Sequence, residues 1–283
     1  MSKIETKVAG NHDLVKPVSS AELLANDFVR EFIMLAGKDG VGKSSAMISL
    51  AWYVEQTQPE ATFFIMDTEN KIRSTLKSFG KEAPQNIVYY KCDTMNQVTA
   101  VTAEVLEKHK PGDWLGVESM SRIWERAQDM GYQAITGTGK ADYMERRREK
   151  AGKKEPVTPR PDELWSIVKG AHDSAFLDLL TQSDTLNVIL TTIVAKPPKP
   201  DAFIKESVDR KAIRFELGID VGLEGSPRLP YYMESLMLLE LKGGAVSCRV
   251  LRDNLSKLEN GRIEFEVPDR KSWAMEFFGQ CRG

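Results

Sequence analysis

Residues 37–44 read Gly-Lys-Asp-Gly-Val-Gly-Lys-Ser, the most distinctive pattern in the sequence. It matches the pattern G-x-x-x-x-G-K-[ST] without a gap, which is typical of loops whose backbone N–H groups surround phosphate. An apolar run at 32–36 predicts a buried strand before the loop, and apolar residues at helical spacing predict a helix over 45–54. Because such a helix begins at the loop, its positive dipole end would face a bound anion.

Each residue type in this loop has an expected task. The Lys43 ammonium would bind the β- and γ-phosphates of a nucleoside triphosphate, and the Ser44 hydroxyl would be a ligand of Mg²⁺. The predicted cofactors are therefore ATP and Mg²⁺. The predicted nucleotide-binding residues are Gly37, Lys38, Asp39, Gly40, Val41, Gly42, Lys43, Ser44 and Ser45.

The composition is that of an ordinary globular protein. The chain has 283 residues and a formal net charge of −2, so any contact with DNA needs a local basic patch. Its three cysteines are widely spaced, which argues against a zinc site or a disulfide framework and suits a reducing compartment. The N-terminus is polar, and the chain lacks the run of about 18 apolar residues that a membrane helix needs. We therefore expect a cytoplasmic protein without a membrane partner.

Short apolar runs alternate with helical patterns along most of the chain. After the run before the loop, further strands are predicted at 61–66, 87–90, 114–117 and 187–194. This alternation predicts an α/β fold, in which a mainly parallel sheet is flanked by helices on both faces. Two later β patterns on either side of Gly243-Gly244 predict a C-terminal β-hairpin.

Acidic residues follow two of the predicted strands. Since the carboxyl ends of parallel strands lie at one edge of a sheet, these side chains should meet the phosphate loop. Glu69 would hold the attacking water and take its proton, although a solvated turn carboxylate is the alternative. Asp67 is the alternative base or a helper around Mg²⁺. Glu118 stands where a carboxylate would face Mg²⁺, although the shorter Asp fits that shell better.

These residues give the predicted site. The predicted catalytic residues are Glu69 and Lys43, and the predicted metal ligands are Ser44, Glu118 and Asp67. Thr191 and Thr192 end the strand at 187–194, where their hydroxyls would sense the γ-phosphate or simply reflect β propensity. The basic run at 146–154 would contact nucleic-acid phosphates or, because glutamates are interleaved with it, form a solvated helix.

The order of the motifs resembles a RecA-type ATPase core, and more closely the RecA-like nucleotide-binding proteins encoded by bacteriophages. Some of these are single-strand annealing or recombination proteins. The resemblance covers roughly residues 28–255, and its phosphate loop is specific to P-loop proteins as a whole. The motifs that carry it lie at 37–44, 64–69, 114–119, 124–130, 143–147 and 189–197.

The resemblance implies partners and further site residues. It places the catalytic glutamate at Glu69 and a DNA-binding loop at about 196–214. Basic residues of the late hairpin, Arg249, Arg252 or Lys257, would reach the nucleotide of a neighbouring subunit, unless they are simply exposed on the hairpin. The implied partners are single-stranded DNA and further copies of the chain, in a ring or filament.

The expected domain organisation has three parts. Residues 1–27 form an N-terminal arm with a short helix, residues 28–255 form the RecA-like ATPase core with a basic insertion at about 131–163, and residues 256–283 form a C-terminal extension. The expected function is Mg²⁺-dependent ATP hydrolysis on single-stranded DNA in phage recombination or replication. Two alternatives stay open: an ATPase switch acting through protein partners, of the partition or packaging type, and a nucleotide-binding module without turnover.

Overall fold

The structure is a computed structural model that describes residues 29–149, 160–195, 222–226, 229–255, 263–269 and 271–282. Several predictions fall outside these ranges: the N-terminal arm, the DNA-binding loop at 196–214, Lys257, and residues 150–154 of the basic run. Within the described ranges, every helix is too short or too polar to cross a lipid bilayer.

The described chain contains nine strands and eight α-helices. The strands are β1 (Phe32–Gly37), β2 (Phe63–Asp67), β3 (Ile87–Lys91), β4 (Trp114–Glu118), β5 (Asn187–Ala195), β6 (Gly222–Leu223), β7 (Ser235–Lys242), β8 (Ala245–Asp253) and β9 (Glu264–Val267). The helices are α1 (Lys43–Thr57), α2 (Ile72–Phe79), α3 (Met95–Lys108), α4 (Met120–Thr136), α5 (Lys140–Glu149), α6 (Pro161–Lys169), α7 (Asp178–Thr181) and α8 (Ser272–Cys281).

The strands form one mixed sheet flanked by helices. Its order is β3-β2-β4-β5-β1-β7-β8-β9, and β6 pairs with β5. The first six strands of this order, which end with β7, are parallel, whereas β8 runs antiparallel to both of its neighbours, β7 and β9. The α/β class is therefore confirmed, and the predicted hairpin forms from β7 and β8. The parallel arrangement brings the carboxyl ends of β1, β2, β4 and β5 to one edge of the sheet.

Side chains alternate between two buried layers, one on each face of the sheet. On β1, Met34 packs with the layer that includes α3 and α4, whereas Ile33 and Leu35 pack with the layer that includes α1. Helix α1 lies very close to β4, because a Cβ atom at Gly116 would come within 2.8 Å of the Met47 sulfur. A larger residue at Gly116 would push α1 away, and with it the phosphate loop that precedes this helix.

The C-terminal segment belongs to the same layer as α1. Strand β9 extends the sheet beside β8, and Trp273 and Phe277 of α8 are completely buried in the layer that contains α1. The Ser49 hydroxyl of α1 donates to the Lys271 carbonyl at 2.6 Å and accepts the Ala274 N–H at 3.2 Å. Residues from both sides of the boundary predicted at residue 255, such as Val250 and Trp273, therefore pack in the same layer.

The region predicted as a basic insertion contains packed helices in its described part. Helix α4 continues through Thr136, and a Cβ atom at Gly131 would lie only 2.8 Å from Val168 of α6. Trp124 and Leu164 belong to a small buried cluster between these two helices. After α6, the chain continues through a π-helical segment at Gly170–Leu177 into α7.

Candidate functional site

The loop between β1 and α1 has the backbone of an anion-binding turn. Gly40 and Gly42 have φ angles of +76° and +104°, a region that side-chain-bearing residues rarely adopt. Helix α1 starts at Lys43, and its first hydrogen bond runs from the Ala46 N–H to the Gly42 carbonyl at 2.9 Å. The first N–H groups of a helix have no partner within it, and the positive end of the helix dipole favours an anion at this position.

The Lys43 side chain lies inside this loop. It is 7% exposed, and its ammonium donates to the carbonyls of Gly37 at 2.8 Å and Lys38 at 2.9 Å. Burial lowers the pKa of Lys43, and the nearby Glu118 and Asp39 carboxylates act against that shift. The ammonium is thus held at the loop by two neutral carbonyls.

Glu118 lies beside the loop at the end of β4, and hydroxyl groups hold its carboxylate. The Ser44 hydroxyl donates to one oxygen at 2.9 Å, and the Thr191 hydroxyl of β5 donates to the other at 2.8 Å. Glu118 is 2% exposed, and this burial raises its pKa to about 7 although both hydroxyls oppose the shift. Two of the three predicted metal ligands, Ser44 and Glu118, are therefore in direct contact.

Glu69 follows β2 and is held by cations. Its side chain is 5% exposed, and it accepts a hydrogen bond from the Ser119 hydroxyl at 2.8 Å. Lys71 forms an ion pair with it, and the Arg122 Nε lies 3.8 Å from its Oε1. Burial alone would raise the pKa of Glu69, but the hydrogen bonds from Lys71 and Ser119 outweigh burial and lower it. The predicted base is therefore ionised.

Asp67 is bound to the turn that carries Glu69. Its carboxylate accepts the backbone N–H groups of Glu69 at 2.9 Å and Ile72 at 3.0 Å, and the Tyr89 hydroxyl at 3.2 Å. These donors occupy both oxygens, as expected for a residue that fixes a turn and the start of α2. Asp67 therefore holds this turn in place, and its assignment as a metal ligand stays a prediction.

Thr191 and Thr192 lie in the middle of β5 and have different partners. Thr191 contacts Glu118, whereas the Thr192 hydroxyl donates to the Glu224 carbonyl at 2.6 Å, next to the short strand β6. Thr192 also lies 3.3 Å from the Ser121 hydroxyl. Only the first of these residues therefore touches the residues around the phosphate loop.

Two of the basic residues predicted to act in trans, Arg249 and Arg252, have partners within their own chain. Arg249 lies 3.4 Å from the Glu240 carboxylate, and Arg252 donates to the Pro230 carbonyl and, at 3.0 Å, to the Met233 carbonyl. On α5, the three arginines at 146–148 are exposed. These contacts connect neither Arg249 nor Arg252 to the phosphate loop.

A cavity of about 530 Å³ that was not predicted from the sequence lies beside the phosphate loop, and neither Glu69 nor Glu118 lines it. Its walls include Val41 of the loop, Ser45 of α1, Val246 of β8 and the residues at 267–269 that follow β9. The only signal in the sequence was the β pattern of the hairpin, because the segments are separated by some two hundred residues. Lys71, two residues after Glu69, was also missed.

No protein-family model matches this chain, and no curated protein is significantly similar to it. In the described part of the chain, no group of three or more histidine, cysteine or acidic side chains could hold a metal ion. A divalent cation at Ser44 and Glu118 would therefore take further oxygen ligands from a nucleotide and from water, as Mg²⁺ commonly does.

Proposed function

We propose that this chain binds ATP with Mg²⁺ and hydrolyses it. One observation carries the proposal: Lys43, Ser44, Glu118 and Glu69 lie around a glycine loop where three parallel strands end. The loop supplies N–H donors and Lys43 supplies a cation. The pKa of Glu69 is lowered, whereas the pKa of Glu118 is raised. Phosphoryl transfer needs this combination, because its catalysis consists mostly of positioning and charge neutralisation.

The cavity beside the loop supports a nucleoside as the rest of the ligand. Its volume of about 530 Å³ lies within the range of small-molecule sites. Val246, Val267 and Pro268 give it apolar surface for a base, and Asp269 and Ser45 add polar groups for ribose or base. A triphosphate in the loop would thus continue into this cavity.

The residues present suit Mg²⁺. The Ser44 hydroxyl oxygen and a Glu118 carboxylate oxygen lie 2.9 Å apart, and both are hard oxygen ligands. Glu118 must lose its proton before it can serve as a ligand, which couples binding of the metal to release of a proton. When bound, Mg²⁺ would neutralise charge on the β- and γ-phosphate oxygens.

Glu69 is the proposed general base. A water oxygen attacks the γ-phosphorus while the bond from that phosphorus to the β,γ-bridging oxygen breaks, and ADP leaves with the bridging electrons. The Glu69 carboxylate takes the proton of the water and later releases it to phosphate or solvent. Ser119 donates to Glu69 at 2.8 Å and keeps its carboxylate at the end of β2.

The proposed macromolecular partner is single-stranded DNA, bound by a homo-oligomer. This part of the proposal is supported by the resemblance to RecA-type proteins and by the exposed arginines at 146–148. Because the chain as a whole has a net charge of −2, attraction to DNA would depend on such a local patch and would weaken with added salt.

The test measures ATP binding and hydrolysis by the full chain, with and without single-stranded DNA. Lys43→Ala should weaken ATP binding by about 10- to 100-fold and abolish turnover, because it removes a charged contact to phosphate. Lys110→Ala, an exposed lysine distant in sequence, is the control. A wild-type protein that binds no ATP would reject the proposal. Binding without turnover would select the non-catalytic alternative, and turnover unaffected by DNA would select a protein partner.

A further inference from the structure

Lys71 lies between the phosphate loop and the proposed base. Its ammonium pairs with Glu69 and also lies 3.6 Å from the Asp39 carboxylate of the loop. The side chain is 48% exposed, so it has room to move. A single cation therefore connects two carboxylates on either side of the loop opening.

The charges around Lys71 favour an anion there. Burial opposes its charged form, but the hydrogen bond and attraction to Glu69 raise its pKa, so the group is an ammonium at neutral pH. It also acts electrostatically on Lys43 and Glu118, which places it within range of the groups that would surround a triphosphate. A terminal phosphate at the loop opening would bring negative charge close to this ammonium.

Other cations are less well placed for this task. Arg249 and Arg252 are held by partners on the C-terminal side of the sheet. Arg122 lies 3.8 Å from Glu69, but its guanidinium donates to Glu125 at 2.6 Å. Among the residues that the structure describes, Lys71 is the cation that contacts both the loop and the base.

We infer that Lys71 is a catalytic residue that contacts the terminal phosphate of ATP from within the same chain. The inference rests on the proposed function and adds a residue to it. On binding of a triphosphate, the Lys71 ammonium leaves Glu69 and Asp39 for phosphate oxygens. Glu69 then loses the ammonium with which it is paired. ADP lacks the terminal phosphate and leaves Lys71 on Glu69.

The test compares triphosphate with diphosphate binding. Lys71→Met keeps a side chain of similar length and removes the charge. It should weaken binding of a non-hydrolysable ATP analogue by about 10- to 100-fold, because a charged hydrogen bond to phosphate is lost. ADP binding should stay as in the wild type, and ATP turnover should fall. Lys77→Met, an exposed lysine on α2, is the matched control, and Lys71→Arg should restore the preference for the triphosphate.

The outcomes separate this inference from the proposed function. If Lys71→Met weakens ADP and the ATP analogue equally, its role is structural and the inference is wrong. If the preference for triphosphate is unchanged and only the pH dependence of turnover moves, Lys71 acts on Glu69 alone, and the inference is again wrong. A wild-type protein that binds neither nucleotide would reject the proposed function itself, and with it this inference.

Discussion

Two glutamates at the ends of neighbouring strands have opposite electrostatic settings. Glu69 follows β2 and Glu118 ends β4, and both side chains are almost completely buried. The pKa of Glu118 is raised to about 7, whereas the pKa of Glu69 is lowered. The two carboxylates thus differ in charge state near neutral pH although they lie at adjacent positions of one sheet edge.

The difference lies in the partners, because burial acts in the same direction on both. Glu118 accepts hydrogen bonds from the neutral hydroxyls of Ser44 and Thr191, which do not compensate for lost solvation. Glu69 has an ammonium at contact and a guanidinium nearby. Nearby cations favour the charged form of a carboxylate far more than hydroxyls do. One edge of the sheet can therefore supply both an ionised base, Glu69, and a carboxyl group, Glu118, that a bound cation would favour in its ionised form.

The largest expected effect concerns the base. Glu69→Gln should leave ATP binding intact and reduce turnover by about 10²- to 10⁴-fold, because the amide cannot accept a proton from water. Single-turnover hydrolysis and direct binding measured on the same samples check this. Glu60→Gln, at an exposed position before β2, should behave as the wild type. Normal turnover in Glu69→Gln would remove Glu69 from the mechanism.

The next effect concerns the stability of the protein without nucleotide. Because the pKa of Glu118 is raised in the folded state, the native protein binds more protons than the unfolded chain between about pH 4.5 and 7. The contribution of Glu118 to stability therefore falls as pH rises through this window. Glu69 contributes in the opposite direction, since its lowered pKa gives stability that is lost as pH falls.

Glu118→Gln removes this charge and keeps groups that can hydrogen-bond Ser44 and Thr191. The variant should have a free energy of unfolding larger than that of the wild type by up to about 3 kcal/mol at pH 8, and the difference should vanish near pH 4. Denaturant unfolding at both pH values measures it, and Glu60→Gln again serves as the control. If the variant and the wild type have equal free energies of unfolding at pH 8, the ionised form of Glu118 does not destabilise the folded protein.

The comparison also shows which parts of the molecule the sequence could predict. The strands β1 to β5 and the helix α1 were predicted, because each depends on a local apolar pattern and on the glycine loop. Topology then predicted that Glu69 and Glu118 would lie at one edge, since carboxyl ends of parallel strands meet there. A RecA-like identity of this core remains a prediction.

What the sequence could not predict depends on contacts between distant residues. The cavity joins Val41 to residues at 267–269, and local patterns contain no information about such a pairing. Tyr143 is buried beside Tyr132, but the exposed arginines that follow it in α5 gave no indication of this burial. The opposite pKa shifts of the two glutamates also depend on side-chain partners such as Lys71 and Thr191. The position of each glutamate after a parallel strand does not distinguish the surroundings of one carboxylate from those of the other.

The smallest expected effect concerns the hydrogen bond from Thr191 to Glu118. The Thr191 hydroxyl lowers the pKa of Glu118 against the larger effect of burial, so Thr191→Val should raise that pKa further. A protonated carboxyl is a poor ligand, and Mg²⁺-dependent nucleotide binding should therefore need a higher pH in the variant, by less than about one pH unit.

Titration of nucleotide binding with Mg²⁺ between pH 6 and pH 8.5 would measure this shift. Thr191→Ser keeps the hydroxyl and should follow the wild type, whereas Thr192→Val changes a hydroxyl that contacts Glu224 and not Glu118. If Thr191→Val and Thr192→Val move the midpoint equally, the effect comes from general disturbance of β5. If Thr191→Val lowers the midpoint, the Thr191 hydroxyl does not favour the charged form of Glu118. Hydrogen bonds from neutral hydroxyls would then not oppose the effect of burial on the pKa of Glu118.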